Sequence, residues 1–208
     1  MHRLTSRLRA NRSRHVAMAD RILIIDGHPD PHANRLSHGL AAAYAHGARE
    51  AGRTAYVIKV SALEFSYMHT ASQFSMPSPF GGIKEAQTRL AEADHVVLIY
   101  PLWLGTMPAL LRVFLEQLAS GGFATCNNGT RWTQNLRGKS ARAIVTLDAS
   151  IHAGDFVYCG PNVFAVRHPV LRFLGVSPIR VTLFGRAGDP GLREARLSTA
   201  RQLGARGA

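Results

Sequence analysis

The sequence of 208 residues predicts a single α/β domain built on a doubly wound, parallel sheet of five strands. Two observations carry this prediction. Short runs of β-branched and aliphatic residues, typical of strands buried on both faces, recur five times. Segments with apolar residues at helical spacing separate these runs, which favours parallel strands joined by helical crossovers. No internal repeat or linker indicates a second domain.

The predicted elements follow one another in simple alternation. The predicted strands occupy residues 21–27, 54–60, 96–100, 141–147 and 177–184. The predicted helices occupy residues 34–52, 83–93, 108–120, 161–173 (kinked or broken at Pro169) and 191–203. Residues 61–82 form a long irregular connection, which in a compact domain is typical of a functional segment. Residues 127–138 are polar and rich in turn residues, which indicates an excursion at the surface.

The central strand is followed by an apolar loop. Pro101 ends the strand because it has no N–H to donate, and Pro108 suits the first turn of the next helix. The loop between them, residues 102–107, therefore lies at the carboxyl end of a central strand, where ligands bind in open α/β sheets. Its tryptophan and glycine suit a flat, aromatic ligand. Packing of the loop on a neighbouring subunit is the alternative interpretation.

The loop after the first strand indicates an anion site. His28 and two prolines precede a predicted helix, whose free N-terminal N–H groups favour a phosphate near Arg35 and Ser37. A capped turn with a solvated arginine is the alternative. A metal pair of His28 and His32 is disfavoured, because the prolines prevent helical spacing and no cluster of carboxylates or cysteines supports it. We expect no metal site.

The loop after the fourth strand contains His152, Asp155 and Tyr158. A histidine and a tyrosine beside a bound ligand could polarise an oxygen atom or take up a proton, so His152 and Tyr158 are the candidate catalytic residues. Tyr158 as a simple cap on the wall of the site is the alternative. A GxGxxG fingerprint is missing after the first strand, which disfavours a dinucleotide-binding dehydrogenase of the Rossmann type.

The chain is strongly basic, with a net charge of +12 and a pI near 11.0. Such a charge raises the question of nucleic acid, but basic residues do not alternate with aromatic ones, and nucleic acid is not an expected partner. Five arginines and no acid fall within residues 1–19, which we interpret as a disordered, dispensable extension or a start site placed too early, with Met18 as the true start. A transit peptide or nucleic-acid arm is the alternative.

Two further features bear on location. No apolar run is long enough for a membrane span. Cys126 and Cys159 have neither CxxC nor zinc spacing, so a reducing cytoplasm is expected.

Three stretches resemble one family, the flavodoxin-like NAD(P)H:quinone oxidoreductases, which include DT-diaphorase and its bacterial relatives. Residues 100–111, YPLWLGTMPALL, resemble the family's PLWW…MPA.LK motif, whose loop holds the flavin ring. Residues 27–38 resemble its first βα loop, which opens with (G/A)HP and grips the flavin phosphate, although the commoner SFN helix start is absent. Residues 146–150 resemble its TMDTP stretch at the flavin pyrimidine, with Ala149 and Ser150 in place of Thr-Pro.

The resemblance implies the sheet order 2-1-3-4-5 and a flavin-binding domain over residues 20–208. It implies a flavin, FAD or FMN, with NAD(P)H as electron donor and ping-pong hydride transfer to a quinone-type acceptor. It also implies a homodimer with shared sites. The expected cofactor-binding residues are His28, Asn34, Arg35, Leu36, Ser37, Pro101, Leu102, Trp103, Leu104, Gly105, Thr146, Leu147 and Asp148. The alternatives are an electron carrier of the flavodoxin type and an ancillary, regulatory flavoprotein subunit.

Overall fold

The computed structural model of the chain describes residues 19–123, 125–127, 132–148 and 169–207. The strands in these residues are β1 (Arg21–Asp26), β2 (Thr54–Lys59), β3 (His95–Pro101), β4 (Thr125–Asn127), β5 (Trp132–Gln134), β6 (Ser140–Thr146) and β7 (Ile179–Phe184). The helices are α1 (Leu36–Glu50), α2 (Ala71–Ser75), α3 (Gly81–Glu92), α4 (Ala109–Ala119), α5 (Pro169–Phe173) and α6 (Arg193–Arg206). Short 3₁₀ turns lie at Val60–Ala62 and Pro190–Leu192.

Five strands form one sheet in the order β2-β1-β3-β6-β7, and every pairing is parallel. Counted along the sheet strands alone, this is the predicted order 2-1-3-4-5, which is confirmed. All seven residues of β3 are buried, as the unbroken apolar run at the middle of the sheet requires. Pro101 is the last residue of β3, and β2 lies at an edge with Lys59 exposed, both as predicted.

Helices cover both faces of the sheet, so the doubly wound arrangement is confirmed. Successive side chains of β1 and β3 point to opposite faces of the sheet, so the two strands contribute to two separate hydrophobic cores. One core contains Leu23 and Leu98 and packs against α3 and α4. The other contains Ile24 and Val97 and packs against α1, together with Ala200 of α6.

Helices α1 and α6 approach each other more closely than side chains normally permit. A Cβ atom added at Gly47 would lie 2.0 Å from the backbone oxygen of Arg201. One added at Gly204 would lie 2.0 Å from the backbone oxygen of Tyr44. Two glycines, one on each helix, therefore let the two backbones touch. This contact lies in the C-terminal half of each helix, and nearer their N-termini, at the carboxyl edge of the sheet, a Cβ added at Gly39 would lie 3.1 Å from the side chain of Leu197.

Three local features differ from the sequence prediction. The connection predicted as irregular over residues 61–82 contains α2, which begins with a capping box formed by Thr70 and Gln73. The predicted surface excursion, residues 127–138, contains β5, which pairs antiparallel with β4 at the start of the excursion. Pro169 stands at the first position of α5, where its missing N–H costs nothing, and the residues predicted to precede it in a longer helix, 161–168, lie outside the described part.

His95 at the start of β3 provides a test of the fold. Its Nδ1 lies 2.8 Å from the hydroxyl of Ser140, and its Nε2 has no hydrogen-bond partner among the described residues. Burial, reinforced by the charges of Arg142 and Arg180, lowers the pKa of His95 from its ordinary 6.5 to about 4. The folded protein therefore holds this ring neutral, whereas the unfolded chain protonates it near pH 6.5.

The stability contributed by neutral His95 is complete above pH 6.5 and decreases as the pH falls toward 4, because the unfolded state then binds the additional proton. We expect a loss of roughly 1–2 kcal/mol at pH 5. In His95→Gln, urea unfolding measured from pH 7 to pH 4.5 should show a flatter pH profile. The same change at exposed His46 on α1 is the control. Parallel profiles for His95→Gln and the parent protein would contradict the assignment.

Candidate functional site

A cavity of about 520 Å³ opens at the carboxyl edge of the sheet, where the loops after β1, β3, β6 and β7 converge. Eleven of the thirteen residues expected to bind the cofactor line it, in three groups from the first three of these loops. These are His28, Asn34, Arg35, Leu36 and Ser37; Pro101, Leu102 and Trp103; and Thr146, Leu147 and Asp148. The topology thus brings together stretches that are more than a hundred residues apart in sequence.

The remaining two expected residues, Leu104 and Gly105, do not line the cavity. Trp103 and Thr106 exchange two backbone hydrogen bonds of 2.9 Å, which closes a tight turn with Leu104 and Gly105 at its tip. Both tip residues have positive φ angles, 48° for Leu104 and 76° for Gly105. This backbone directs Leu104 into solvent, where its side chain is 95% exposed, and leaves Trp103 half-exposed at the rim of the cavity.

The start of α1 has the properties of an anion site. No side chain caps this helix end, so the N–H groups of its first turn remain available to a ligand. The hydroxyl of Ser37, in this turn, is buried with the residue only 1% exposed and has no hydrogen-bond partner among the described residues. A buried polar atom without a partner is costly, and one that borders a cavity indicates a missing ligand. The positive end of the helix dipole favours an anionic one.

Arg35, which is expected to contact that anion, is paired with the carboxylate of Asp30. Its guanidinium donates from Nε, at 2.7 Å, and from Nη2 to the same oxygen, Oδ2, of Asp30. The backbone N–H of His32 donates to the other carboxylate oxygen of Asp30 at 2.9 Å. This backbone donor, and then Arg35, lowers the pKa of Asp30, which is therefore ionised at neutral pH. The charge of Arg35 is thus largely balanced before any ligand binds.

His28 is held as a neutral ring at the cavity wall. The backbone N–H of Asp30 donates to His28 Nδ1 at 3.1 Å, so the ring carries its proton on Nε2. Burial lowers the pKa of His28, and the nearby charges of His38 and Arg35 lower it further. The ring also meets Trp103 edge to face, with 6.0 Å between ring centroids. His28 therefore offers a hydrogen-bond donor rather than a positive charge.

The fourth side of the cavity comes from the loop after β7, which none of the sequence motifs predicts as part of a site. Its lining residues are Ala187, Gly188, Asp189, Pro190 and Arg193. Arg193, the first residue of α6, donates from Nη1 to the backbone oxygen of Asn34 at 3.1 Å and crosses α1 beside Gly39. It forms no salt bridge with a carboxylate of the described residues, so its charge is available to an anion at the start of α1.

The sequence does contain a signal for this side of the cavity. Asp189 followed by Pro190 is a helix-start pattern, and in the structure the Asp189 side chain accepts a hydrogen bond from the N–H of Gly191. A helix that starts after the last sheet strand has its N-terminus at the same edge as the other loops. The sequence therefore contains the information that places Arg193 at this edge.

Several predicted features lie outside the described residues. These are His152, Asp155 and Tyr158 in the loop after β6, together with Ala149 and Ser150. Among the described residues, no group of three or more histidine, cysteine, aspartate or glutamate side chains could hold a metal ion. In the same part of the chain, every helix is too short or too polar to cross a membrane.

The sequence matches a known family along nearly its whole length. Residues 20–205 match the family Flavodoxin_2, described as a flavodoxin-like fold, and the chain belongs to this family. A curated relative, the mouse ribosyldihydronicotinamide dehydrogenase (quinone), is 28% identical over 119 residues, which are 53% of this chain and 50% of that protein. The chain spans about half the length of the curated relatives it matches.

Solved structures share the fold. The NAD(P)H:quinone oxidoreductase from Methanothermobacter marburgensis superposes with a TM-score of 0.71 at 22% identity, covering 90% of this chain and 96% of that chain. The FMN-dependent NADH-azoreductase from Bacillus anthracis, solved in complex with FMN, superposes with a TM-score of 0.68 at 14% identity, covering 90% of this chain and 98% of that chain.

Proposed function

We propose that this chain is a flavin-dependent NAD(P)H oxidoreductase that reduces quinones or similar acceptors by hydride transfer. The observation that carries the proposal is the unpartnered, buried hydroxyl of Ser37 at the uncapped start of α1, in a residue that lines a cavity together with the apolar and aromatic side chains of Leu102 and Trp103. The volume of about 520 Å³ is within the range of small-molecule sites.

The residues present fit a flavin mononucleotide unit in three ways. The first turn of α1, Ser37 and the guanidinium of Arg193 would hold its phosphate. Leu102 and Trp103 would form an apolar wall against its ring. The end of β6, from Thr146 to Asp148, would offer backbone groups to the polar edge of the ring. When bound, a flavin accepts a hydride from the nicotinamide and passes it on to the acceptor.

The protein's own contribution is binding, orientation and exclusion of water. The neutral ring of His28 supplies a donor at the phosphate end without adding a charge. The predicted roles of His152 and Tyr158 in proton transfer remain a prediction, because neither is described. The names of the relatives support a flavin and NAD(P)H chemistry for this chain: a ribosyldihydronicotinamide dehydrogenase (quinone), an NAD(P)H:quinone oxidoreductase and an FMN-dependent NADH-azoreductase.

Absorbance spectroscopy of the purified protein tests the proposal. Reconstitution with FMN or FAD should give one flavin per chain, and anaerobic NADPH or NADH should bleach its visible absorption, which a quinone should then restore. Bleaching by dithionite but not by either nicotinamide would indicate an electron carrier instead. Failure to bind either flavin would refute the proposal.

Ser37 gives a sharper test of the phosphate end. Its hydroxyl makes no hydrogen bond in the described structure, so Ser37→Ala should leave the melting temperature unchanged or slightly raised. Flavin affinity should fall by about tenfold, because one hydrogen bond to a charged group is lost. Ser75→Ala on α2, away from the cavity, is the control. Equal flavin affinity in Ser37→Ala and the parent would remove Ser37 from the site.

We also propose that the chain forms a homodimer. Large apolar side chains are exposed in the described residues, notably Tyr67, Phe74 and Met76 around α2, and Leu104 beside the cavity. Several exposed apolar side chains on one segment, as around α2, are typical of a protein interface. Sedimentation at micromolar concentration should give a dimer, and the double change Tyr67→Ser with Met76→Ser should weaken it. A monomer that turns over NADPH and quinone would refute a shared site.

A further inference from the structure

A buried acid–base pair lies beneath the loop that follows β1. Asp26, the last residue of β1, is 0% exposed, and His38, in the first turn of α1, is 9% exposed. His38 Nδ1 is 2.5 Å from Asp26 Oδ2, and His38 Nε2 is 2.8 Å from the backbone oxygen of Asp30. Neither residue lines the cavity. The ring of His38 therefore connects the end of the sheet with the loop that borders the cavity.

The positions of the protons on His38 follow from the groups that accept hydrogen bonds from its ring. A backbone carbonyl only accepts, so His38 must carry a proton on Nε2 and donate it to Asp30. One further proton lies between Nδ1 and the carboxylate of Asp26. The other oxygen of Asp26 accepts from the backbone N–H of His28 at 3.4 Å. Both ring nitrogens and both carboxylate oxygens thus have partners.

Asp30 links His38 to residues that line the cavity. Its N–H donates to the ring of His28, and its carboxylate binds Arg35 and the N–H of His32. The position of the Asp30 backbone therefore determines where His28 and Arg35 stand, and both of them line the cavity. Stability alone does not account for the pair, because a buried ionisable pair is commonly no more stabilising than apolar residues of similar volume.

We propose that His38 is a positioning residue for the anion site, which it orders by holding the carbonyl of Asp30 through Nε2–H while Asp26 holds the opposite side of the ring. The identity of the anion, a flavin phosphate, rests on the proposed function. The positioning itself concerns only the conformation of residues 28–35 and is measurable without a ligand.

Two substitutions separate the two contacts of the ring. In His38→Asn, the amide nitrogen takes the place of Nδ1 and keeps Asp26 paired, but it does not reach Asp30. In His38→Gln, the amide nitrogen takes the place of Nε2 and keeps the bond to Asp30, but Asp26 loses its side-chain partner. His46→Asn, an exposed position on the same helix, is the control for helix propensity.

The proposal predicts that one variant loses flavin affinity and the other loses thermal stability. His38→Asn should weaken binding of FMN or FAD about tenfold and keep the melting temperature, whereas His38→Gln should lower the melting temperature and keep the affinity. In the protein without ligand, His38→Asn should also speed hydrogen exchange at the amides of Asp30 and His32 by about tenfold, and His38→Gln should not.

Affinity that follows the melting temperature in both variants would show a merely structural role and overturn the proposal. So would unchanged exchange at Asp30 and His32 in His38→Asn. If the parent protein binds no flavin, the proposed function fails, and the exchange comparison alone still decides whether His38 orders the loop.

Discussion

Replacing Gly47 by alanine will destabilise the protein by about 3 kcal/mol, although the same change in an unconstrained helix interior would stabilise it by about 1 kcal/mol. The added Cβ would stand 2.0 Å from the backbone oxygen of Arg201 on α6. A flexible side chain could move away, but a carbonyl within a helix cannot, so the two helices would have to separate. Urea unfolding and the melting temperature measure the loss.

Gly81→Ala is the matched control. Gly81 opens α3, and a Cβ added there meets nothing within 4 Å, so its stability should be unchanged or slightly raised. Gly204→Ala, on the opposite side of the same contact, should behave like Gly47→Ala, since its Cβ would meet the backbone oxygen of Tyr44. A Gly47→Ala protein as stable as the parent would show that α1 and α6 are farther apart than described.

Replacing Arg193 by alanine will weaken flavin binding by roughly tenfold to a hundredfold. A charge-assisted hydrogen bond to a phosphate contributes about 1.5–3 kcal/mol, and Arg193 has no carboxylate among the described residues to satisfy its charge otherwise. Fluorescence titration of the protein with FMN and FAD measures the change. Arg206→Ala, in the last turn of the same helix and exposed, is the control and should bind normally.

Arg35 should contribute differently from Arg193. Arg35→Ala removes a cation that is paired with Asp30 and leaves that carboxylate facing the ligand. Its flavin affinity should therefore fall mainly through repulsion, and the double change Asp30→Asn with Arg35→Ala should restore most of it. Affinity that stays low in the double variant would make Arg35 a direct ligand, and normal affinity in Arg193→Ala would remove Arg193 from the site.

The sheet could be predicted from the sequence because its strands are buried on both faces. The run from Val96 to Tyr100 consists only of aliphatic and aromatic residues. Such a short, unbroken run is typical of a central parallel strand, because both faces of that strand are buried. Strand order came from the resemblance of residues 100–111 to a family rather than from the run itself. The short ribbon of β4 and β5 was not predicted, since three-residue strands carry too little periodicity to stand out from a polar loop.

The lining of the cavity was predictable where a loop has an unusual composition. The prolines at 101 and 108 delimit one such loop, and the prolines beside His28 mark another. The direction of Leu104 was not predictable, because it depends on a positive φ angle that a leucine adopts only rarely. The pairing of Arg35 with Asp30 was not predictable either. The two residues are five positions apart across a non-helical turn, and no spacing rule describes the geometry of such a turn.

The backbone contact between α1 and α6 also affects how quickly a ligand can leave. Gly47 and Gly204 join the C-terminal halves of these helices, and nearer the N-termini Gly39 leaves room for the side chains of Leu197 and Arg193 of α6. The two helices are therefore packed together along their length, and the phosphate end of the cavity is preorganised. Little conformational entropy is lost there on binding. We expect release to proceed instead past the exposed turn from Trp103 to Thr106 at the rim of the cavity. Changes in the two helices should therefore alter affinity, whereas changes in the turn should alter residence time.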